Sequence, residues 1–235
     1  ESESRGLGDV YKRQHMPAAY LSLIAAFQLL SCSFSAPKPI DTAKAVATSE
    51  YTLPQGHEVA YFASGCFWCV EAVFEQVTGV HEAISGYAGG NTKNPTYNQV
   101  VTGRTGHAET TKVIYDKEVV SFETLVTVFF GSHDPTTLNR QGPDRGTHYR
   151  SIAFYETAEE KEIIEKIIEK LTAAKRYSDP IVTEVKKYDV FYQAEDYHQD
   201  YEKNNPNNPY IRAVSKPRVS AFLQNYPELI KSDLE

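Results

Sequence analysis

Cysteine is scarce in this chain, and methionine and tryptophan are almost absent: three, one and one among 235 residues. Three cysteines cannot build a disulfide-stapled scaffold. No second cysteine pair accompanies Cys66 and Cys69, and the seven histidines are scattered, so the second ligand pair a zinc site would need is missing and no metal is expected. There is no excess of positive charge. Lys and Arg total 24 against 31 Asp and Glu, a formal net charge of -7 with no basic stripe, which argues against nucleic acid as a partner. No apolar run is long enough to span a bilayer comfortably, the longest being Ala18 to Leu30. No internal repeat is visible. What remains is 41% hydrophobic residues and 16 tyrosines, which suits one soluble domain whose tyrosines mostly fill a half-buried sheet.

The N-terminal quarter reads as processing and tether. Residues 1–15 show neither apolar period nor caps and read as a disordered or non-native extension. From Met16 the chain carries the apolar core of a secretory signal over 16–31, ending in Leu29-Leu30-Ser31-Cys32. That ending resembles the lipobox of bacterial lipoproteins and implies cleavage before Cys32 and acylation of its thiol and new N-terminus. Residues 32–50 are a low-complexity tether. The expected location is outside the cytoplasm, periplasmic or at the cell surface, held to a bacterial membrane by lipid alone. A folded domain is expected over 51–231.

In that domain, Glu58 to Ser64 alternates as a strand, and Val70, Val73, Phe74 and Val77 recur at helical spacing. Val80 to Tyr87 is a second strand, closed by Gly86-Tyr87-Ala88-Gly89-Gly90, where the glycines mark unusual backbone angles or close approach. Pro95 is suited to the first position of a short helix. His107 to Tyr115 is rich in β-branched residues and puts Glu109, Thr111, Val113 and Tyr115 on one face. Ser121 caps a helix that Gly131 stops. A long polar loop runs from His133 to Thr147, and Tyr149 to Tyr155 is a strand. Thr157 and Glu160 form a capping box before a helix striped with Ile163, Ile164, Ile167, Ile168 and Leu171. Ile181 to Tyr188 alternates as a strand, the chain from Phe191 is irregular, and Lys216 to Tyr226 forms a last helix. Few strands, alternating helices and a long C-terminal coil indicate an α+β two-layer domain.

The chemistry centres on Gly65-Cys66-Phe67-Trp68-Cys69. Cys66 sits where a strand ends and a helix begins, where free amides and the helix dipole stabilise a thiolate. Lowering a cysteine pKa from about 8.5 to about 7 corresponds to about 2 kcal/mol. Cys66 and Cys69 share one helical face. A nucleophile with a second thiol in reach is the leading reading, beside a disulfide half or a metal ligand. Glu109, if it neighbours a thiolate in an apolar site, is a proton donor; on spacing alone an ordinary surface glutamate is the favoured reading. His107 and His148 read as ordinary loop histidines and Asp144 as a turn residue. Phe67 and Trp68 are either core or the wall of a small apolar pocket.

Six stretches then occur in order: Gly65-Cys66-Phe67-Trp68; Gly86 to Gly90; Gly106-His107-Ala108-Glu109; His133-Asp134-Pro135-Thr136; Asn139 to Ser151; and Glu195-Asp196-Tyr197-His198-Gln199. Together they resemble the A-type peptide methionine sulfoxide reductases, across roughly Tyr51 to Tyr226. The resemblance implies a mixed sheet with a ferredoxin-like core and reduction of the S epimer of methionine sulfoxide, free or in proteins. It implies no bound cofactor and a monomer. By position, Cys66 is the nucleophile that becomes a sulfenic acid and Glu109 the acid at the sulfoxide oxygen. Tyr97 and Tyr149 hold that oxygen, Asp144 acts through water, and Phe67 and Trp68 wall the methyl pocket. Two departures stand out: Cys69 replaces a common glycine, and no cysteine follows it, although many family members carry resolving cysteines near the C-terminus. Cys69 is therefore expected to resolve the Cys66 sulfenic acid as a disulfide, which a thioredoxin-like dithiol reduces. A general disulfide oxidoreductase of the thioredoxin type would instead carry Trp before the first cysteine. A non-catalytic lipoprotein that binds sulfoxide peptides would need no acid at Glu109. Acylation of Cys32 is checked on the exported protein: it is expected in the detergent phase with acyl mass on Cys32, and an unacylated, aqueous protein would overturn it.

Overall fold

The computed structural model describes residues 53–232. The extension over 1–15, the signal-like run with Cys32 and the tether lie outside the described residues. The domain is built on a six-stranded sheet. Its strands are β1 (His57–Ser64), β2 (Val80–Ala88), β3 (Ala108–Asp116), β6 (Ser151–Tyr155), β7 (Glu184–Lys187) and β8 (Phe191–Gln193), in the order β7-β6-β1-β3-β2-β8. Between β3 and β6 lies a separate hairpin of β4 (Arg140–Gln141) and β5 (Asp144–Arg145). Every pairing in the large sheet is antiparallel except β6 with β7. The central order β6-β1-β3-β2, with α1 (Phe67–Glu75) joining β1 to β2 and α3 (Phe122–Gly131) lying between β3 and β6, is the ferredoxin-like arrangement.

The helices lie over one face of the sheet because the strands alternate. Ala60 and Phe62 of β1 with Val113 and Tyr115 of β3 pack against Val70, Val73 and Phe74 of α1 and Leu125, Val126 and Phe129 of α3. The same cluster takes Ile164 and Ile167 of α4 (Ala158–Ala173). Phe62 is the hub: its ring stacks at 5.2 Å on both Phe74 and Phe129. The other face carries a smaller cluster of Tyr61, Ala63, Ile84, Ile114, Ile152 and Phe154, covered by Phe191 and by Tyr188, which stacks on Tyr61 at 3.9 Å. Caps set the helix starts. Ser121 Oγ accepts from Thr124 N–H at 3.1 Å, and Thr157 and Glu160 form the expected capping box.

Several boundaries differ from the sequence reading. Tyr149 closes a 3-10 turn, Thr147–Tyr149, and the strand starts only at Ser151. Arg150 pins that turn by donating to the carbonyls of Thr147 and Gly106, both at 2.9 Å. Pro95 is not the first residue of α2 (Tyr97–Val100), because Thr96 is its N-cap, with the Thr96 amide donating to Gln99 Oε1 at 2.9 Å in a capping box. Gly131 ends inside α3 rather than after it. The long polar loop holds the β4–β5 hairpin, and the last sheet strands are shorter than the alternating runs. The long C-terminal stretch carries α5 (Tyr201–Asn204), a π-helical turn (Ile211–Ser215) and α6 (Lys216–Asn225). Among the described residues no helix is long and apolar enough to cross a membrane. Phe62→Ala removes the hub ring and is expected to cost about 3–5 kcal/mol in urea unfolding, against a near-neutral change for an exposed site such as Glu159→Ala.

Candidate active site

Antiparallel pairing brings the candidate residues to one edge of the sheet. Ser64, at the end of β1, pairs with Ser151 at the start of β6, just after Tyr149. Glu109, at the start of β3, pairs with Tyr87 at the end of β2. Cys66 is two residues beyond β1, as N-cap of α1, with φ -56° and ψ 120°. Gly65 makes the turn. Its φ is +87°, and a Cβ there would stand 2.5 Å from the Gln141 side chain, so the β4–β5 hairpin closes directly over it. Gly90 serves a parallel need: a Cβ would meet the His107 amide at 2.2 Å. His107 is buried and satisfied, accepting from Gly90 N–H at 3.1 Å and bonding Thr92 O at 2.8 Å.

Glu109 is fully buried, and its Oε2 accepts the Phe67 N–H at 3.1 Å. Burial pushes its carboxyl up to about 8, with the Phe67 amide opposing the shift, so it holds a proton at neutral pH. Burial followed by the Glu109 charge raises the phenols of both Tyr97 and Tyr149. They stay neutral donors. Glu195 positions one of them, accepting the Tyr97 amide at 2.9 Å and the Tyr87 hydroxyl at 2.8 Å.

The expected depressed thiol at Cys66 is not what the structure holds. The first free amide of α1 is taken by Glu109, and Cys66 is buried, so burial first and its contact with Cys69 second push its thiol up. Cys69, also buried, is lowered by the hydrogen bond from Cys66 and then by the Arg218 charge, Ser215 and Tyr210. Both thiols are free. Of the pair, Cys69 is the thiol that ionises more readily. Arg218 is held for this by donating to Ser132 O at 2.6 Å, Ser64 O at 3.0 Å and Ser64 Oγ at 3.1 Å. Because Cys66 lies outside the regular helix, a disulfide to Cys69 does not have to form within a continuous α-turn.

Phe67 is core rather than surface, packed with Tyr87, Val100 and Tyr192, while Trp68 is half-buried and presents the open part of the wall. Trp68 stacks on Tyr201 at 3.7 Å and donates its Nε1–H to His198 Nδ1 at 3.1 Å. Burial lowers His198 to about 4, which keeps it neutral and able to accept. Asp144 accepts the Tyr210 hydroxyl at 2.6 Å, and Tyr210 Oη in turn stands 3.9 Å from Cys69 Sγ.

Cys66, Cys69, Glu109, Tyr97, Tyr149, Asp144, Phe67 and Trp68 thus share one neighbourhood. The sequence reading missed Tyr201 and Tyr210, which sit in a stretch without periodicity, and Arg218, which lies on the expected last helix, and it gave no role to Glu195 and His198 although it singled out their motif. Elsewhere, among the described residues, Glu71, Glu75 and Asp200 bring one oxygen each within 4.8 Å of one another. Glu71 is already engaged by the Ser85 hydroxyl and the Asp200 amide, and burial raises it to about 8. Chemically, the Cys66 site offers a thiol, a partner thiolate, a buried neutral acid and two phenols around one small space.

Comparison with known proteins agrees with that inventory. A family model described as peptide methionine sulfoxide reductase matches residues 58–229. The chain is 51% identical over 176 residues to "Peptide methionine sulfoxide reductase MsrA 1" of Rhodopirellula baltica, covering 75% of this chain and 91% of the relative. It is 47% identical to the MsrA of Natronomonas pharaonis, covering 74% and 97%. Among solved structures it resembles methionine sulfoxide reductase A of Corynebacterium diphtheriae, at TM-score 0.59 and 39% identity over 65% of this chain and 77% of that one. It also resembles reduced Mxr1 of Saccharomyces cerevisiae, at TM-score 0.62 and 31% identity over 69% and 94%.

The raised Glu109 carboxyl has a thermodynamic signature. It binds its proton more tightly folded than unfolded, so its contribution to stability falls as pH rises from about 4.3 through about 8. Glu109→Gln keeps an oxygen for the Phe67 amide and cannot ionise. Its melting temperature relative to wild type is expected to climb between about pH 5 and about pH 9, and a difference that does not change with pH would show that Glu109 is not held up.

Proposed function

The chain belongs to the peptide methionine sulfoxide reductase family and performs thiol-dependent reduction of methionine sulfoxide, and from this premise we propose how its own residues carry the reaction. The observation that carries the reading is the neutral Glu109 carboxyl held beside Cys66 by the Phe67 amide. A sulfoxide oxygen gains basicity as its sulfur is attacked, so a donor aimed at it acts mainly on the transition state. The substrate methyl group lies against Trp68, above Phe67, with the oxygen toward Glu109, Tyr97 and Tyr149, which selects the S epimer.

As Cys66 attacks the sulfoxide sulfur, its S–H proton passes to Cys69 and the Glu109 proton goes to the oxygen. Oxygen then transfers to Cys66 as the sulfenic hydroxyl, methionine leaves, and the proton held by Cys69 passes to Glu109, restoring the acid and leaving a Cys69 thiolate. The net change moves one oxygen atom from the sulfoxide to the Cys66 thiol, giving a sulfenic acid. Cys69 then displaces that oxygen, and a thioredoxin-like dithiol reduces the resulting disulfide while becoming a disulfide itself. The substrates are proteins and peptides containing methionine sulfoxide, and the enzyme works as a monomer, exported and anchored through Cys32. A general disulfide oxidoreductase would have no use for a buried neutral acid and two phenols beside its thiols.

The test is an assay of each epimer in a sulfoxide peptide. Cys66→Ser is expected to release no methionine. Cys69→Ser is expected to release one equivalent and then stall with thioredoxin, recovering with a small thiol. Methionine release by Cys66→Ser, or turnover of the R epimer alone, would overturn the assignment; full thioredoxin cycling by Cys69→Ser would remove only the resolving role.

A further inference from the structure

Two sets of hydroxyls surround the cysteines, and they face different partners. Tyr97, at the start of α2, and Tyr149, in the 3-10 turn before β6, feel Glu109 before any other charge. Tyr210 comes from the C-terminal stretch and faces the sulfurs. Its hydroxyl is 3.9 Å from Cys69 Sγ and donates to Asp144 Oδ2 at 2.6 Å. Its ring stands edge-on to Trp68 at 5.9 Å, and its amide is fixed by Asn208 Oδ1 at 2.9 Å. Asp144 is half-buried, so it reaches both Tyr210 and solvent, and burial raises its carboxyl. Glu109 has no such outlet, being wholly enclosed.

The resolving step needs a proton of its own. When the Cys69 thiolate attacks the Cys66 sulfenic sulfur, the S–S bond forms and the S–O bond breaks. The oxygen departs as hydroxide unless an acid delivers a proton to make it water. We propose that Tyr210 is that acid: it gives its phenolic proton to the oxygen leaving Cys66 and is reprotonated by Asp144, which exchanges with solvent. The balance is one thiolate, one sulfenic acid and one proton giving one disulfide and one water, with no external oxidant. A hydroxyl can rotate from accepting to donating, so its bond to Asp144 and its contact with the sulfurs are two settings of one group. The division of labour follows: Glu109 with Tyr97 and Tyr149 serves the sulfoxide, and Tyr210 with Asp144 serves the disulfide.

This inference rests on the assignment of Cys66 and Cys69 above, and rapid mixing of the full-length protein with a methionine-(S)-sulfoxide peptide, without reductant, separates the two. Methionine release reports the first step. Intact mass and capture by a sulfenic-acid-specific carbon nucleophile report the second. Tyr210→Phe keeps the ring against Trp68 and is expected to slow disulfide formation by about 100-fold, the lower range for loss of a general acid. That loss should exceed any loss in methionine release at least tenfold, about one 1.4 kcal/mol step. The sulfenic acid then accumulates in the variant, and its conversion to disulfide accelerates in proportion to an added small carboxylic acid, which wild type ignores. Asp144→Asn, which still accepts from Tyr210 but carries no proton, is expected to lengthen the sulfenic acid lifetime in the same direction. Disulfide formation in Tyr210→Phe indistinguishable from wild type, or slowed only as much as methionine release, would overturn the role of Tyr210. A wild type that releases methionine without forming a Cys66–Cys69 disulfide would instead overturn the underlying assignment.

Discussion

One hydrogen bond, from the Phe67 amide to Glu109, joins the start of α1 to the start of β3 and defines the site. It gives a buried carboxyl one good donor. One donor does not offset the loss of water around a carboxylate, so the acid stays protonated. It also takes the amide that would otherwise have favoured a thiolate at Cys66. The contact therefore fixes the proton donor at the start of α1, while burial keeps both that acid and the Cys66 thiol protonated at rest. Everything that seals the site, from the β4–β5 hairpin over Gly65 to the aromatic cluster around Phe67 and Tyr87, maintains that balance by keeping water out.

With the helix start committed to Glu109, the charge of the cysteine pair is managed from elsewhere. Arg218, Ser215 and Tyr210 all belong to the C-terminal stretch, and all act on Cys69. This chain has no cysteine in that stretch, yet the stretch still serves the resolving thiol, by electrostatics and hydrogen bonding rather than by supplying sulfur. Arg218 is suited to this because three acceptors hold its guanidinium rigidly under the end of β1. The irregular backbone of the region is consistent with its use: Asp200 at positive φ and a π-helical turn aim individual side chains rather than extend a helix.

Much of this was legible before any coordinates. The strand before Cys66, the capping box at Thr157 and the face shared by Glu109, Val113 and Tyr115 follow from local period and capping chemistry, which depend on residues within one or two turns. The ordered motifs around Cys66, Glu109 and Tyr149 pointed to a family. Tyr149 itself was misplaced in a strand, because Arg150 and the carbonyl of Gly106, far away in the chain, set its turn. Tyr201, Tyr210 and Arg218 stayed invisible because each acts on residues far away in the chain, the two tyrosines from a stretch with no period to read.

The sequence by itself determined the kind of chemistry: two thiols three apart beside a strand end, one of them in place of a glycine, in a domain with no other cysteine. It also determined the alternation that lays the helices over one face. Tertiary structure alone decided the protonation states. Whether Glu109 is a surface carboxylate or a neutral acid, and which of two adjacent thiols carries the charge, depends on desolvation and on groups brought from distant positions. Those quantities arise only when antiparallel pairing gathers the ends of β1, β2, β3 and β6 at one edge and the C-terminal stretch closes over them.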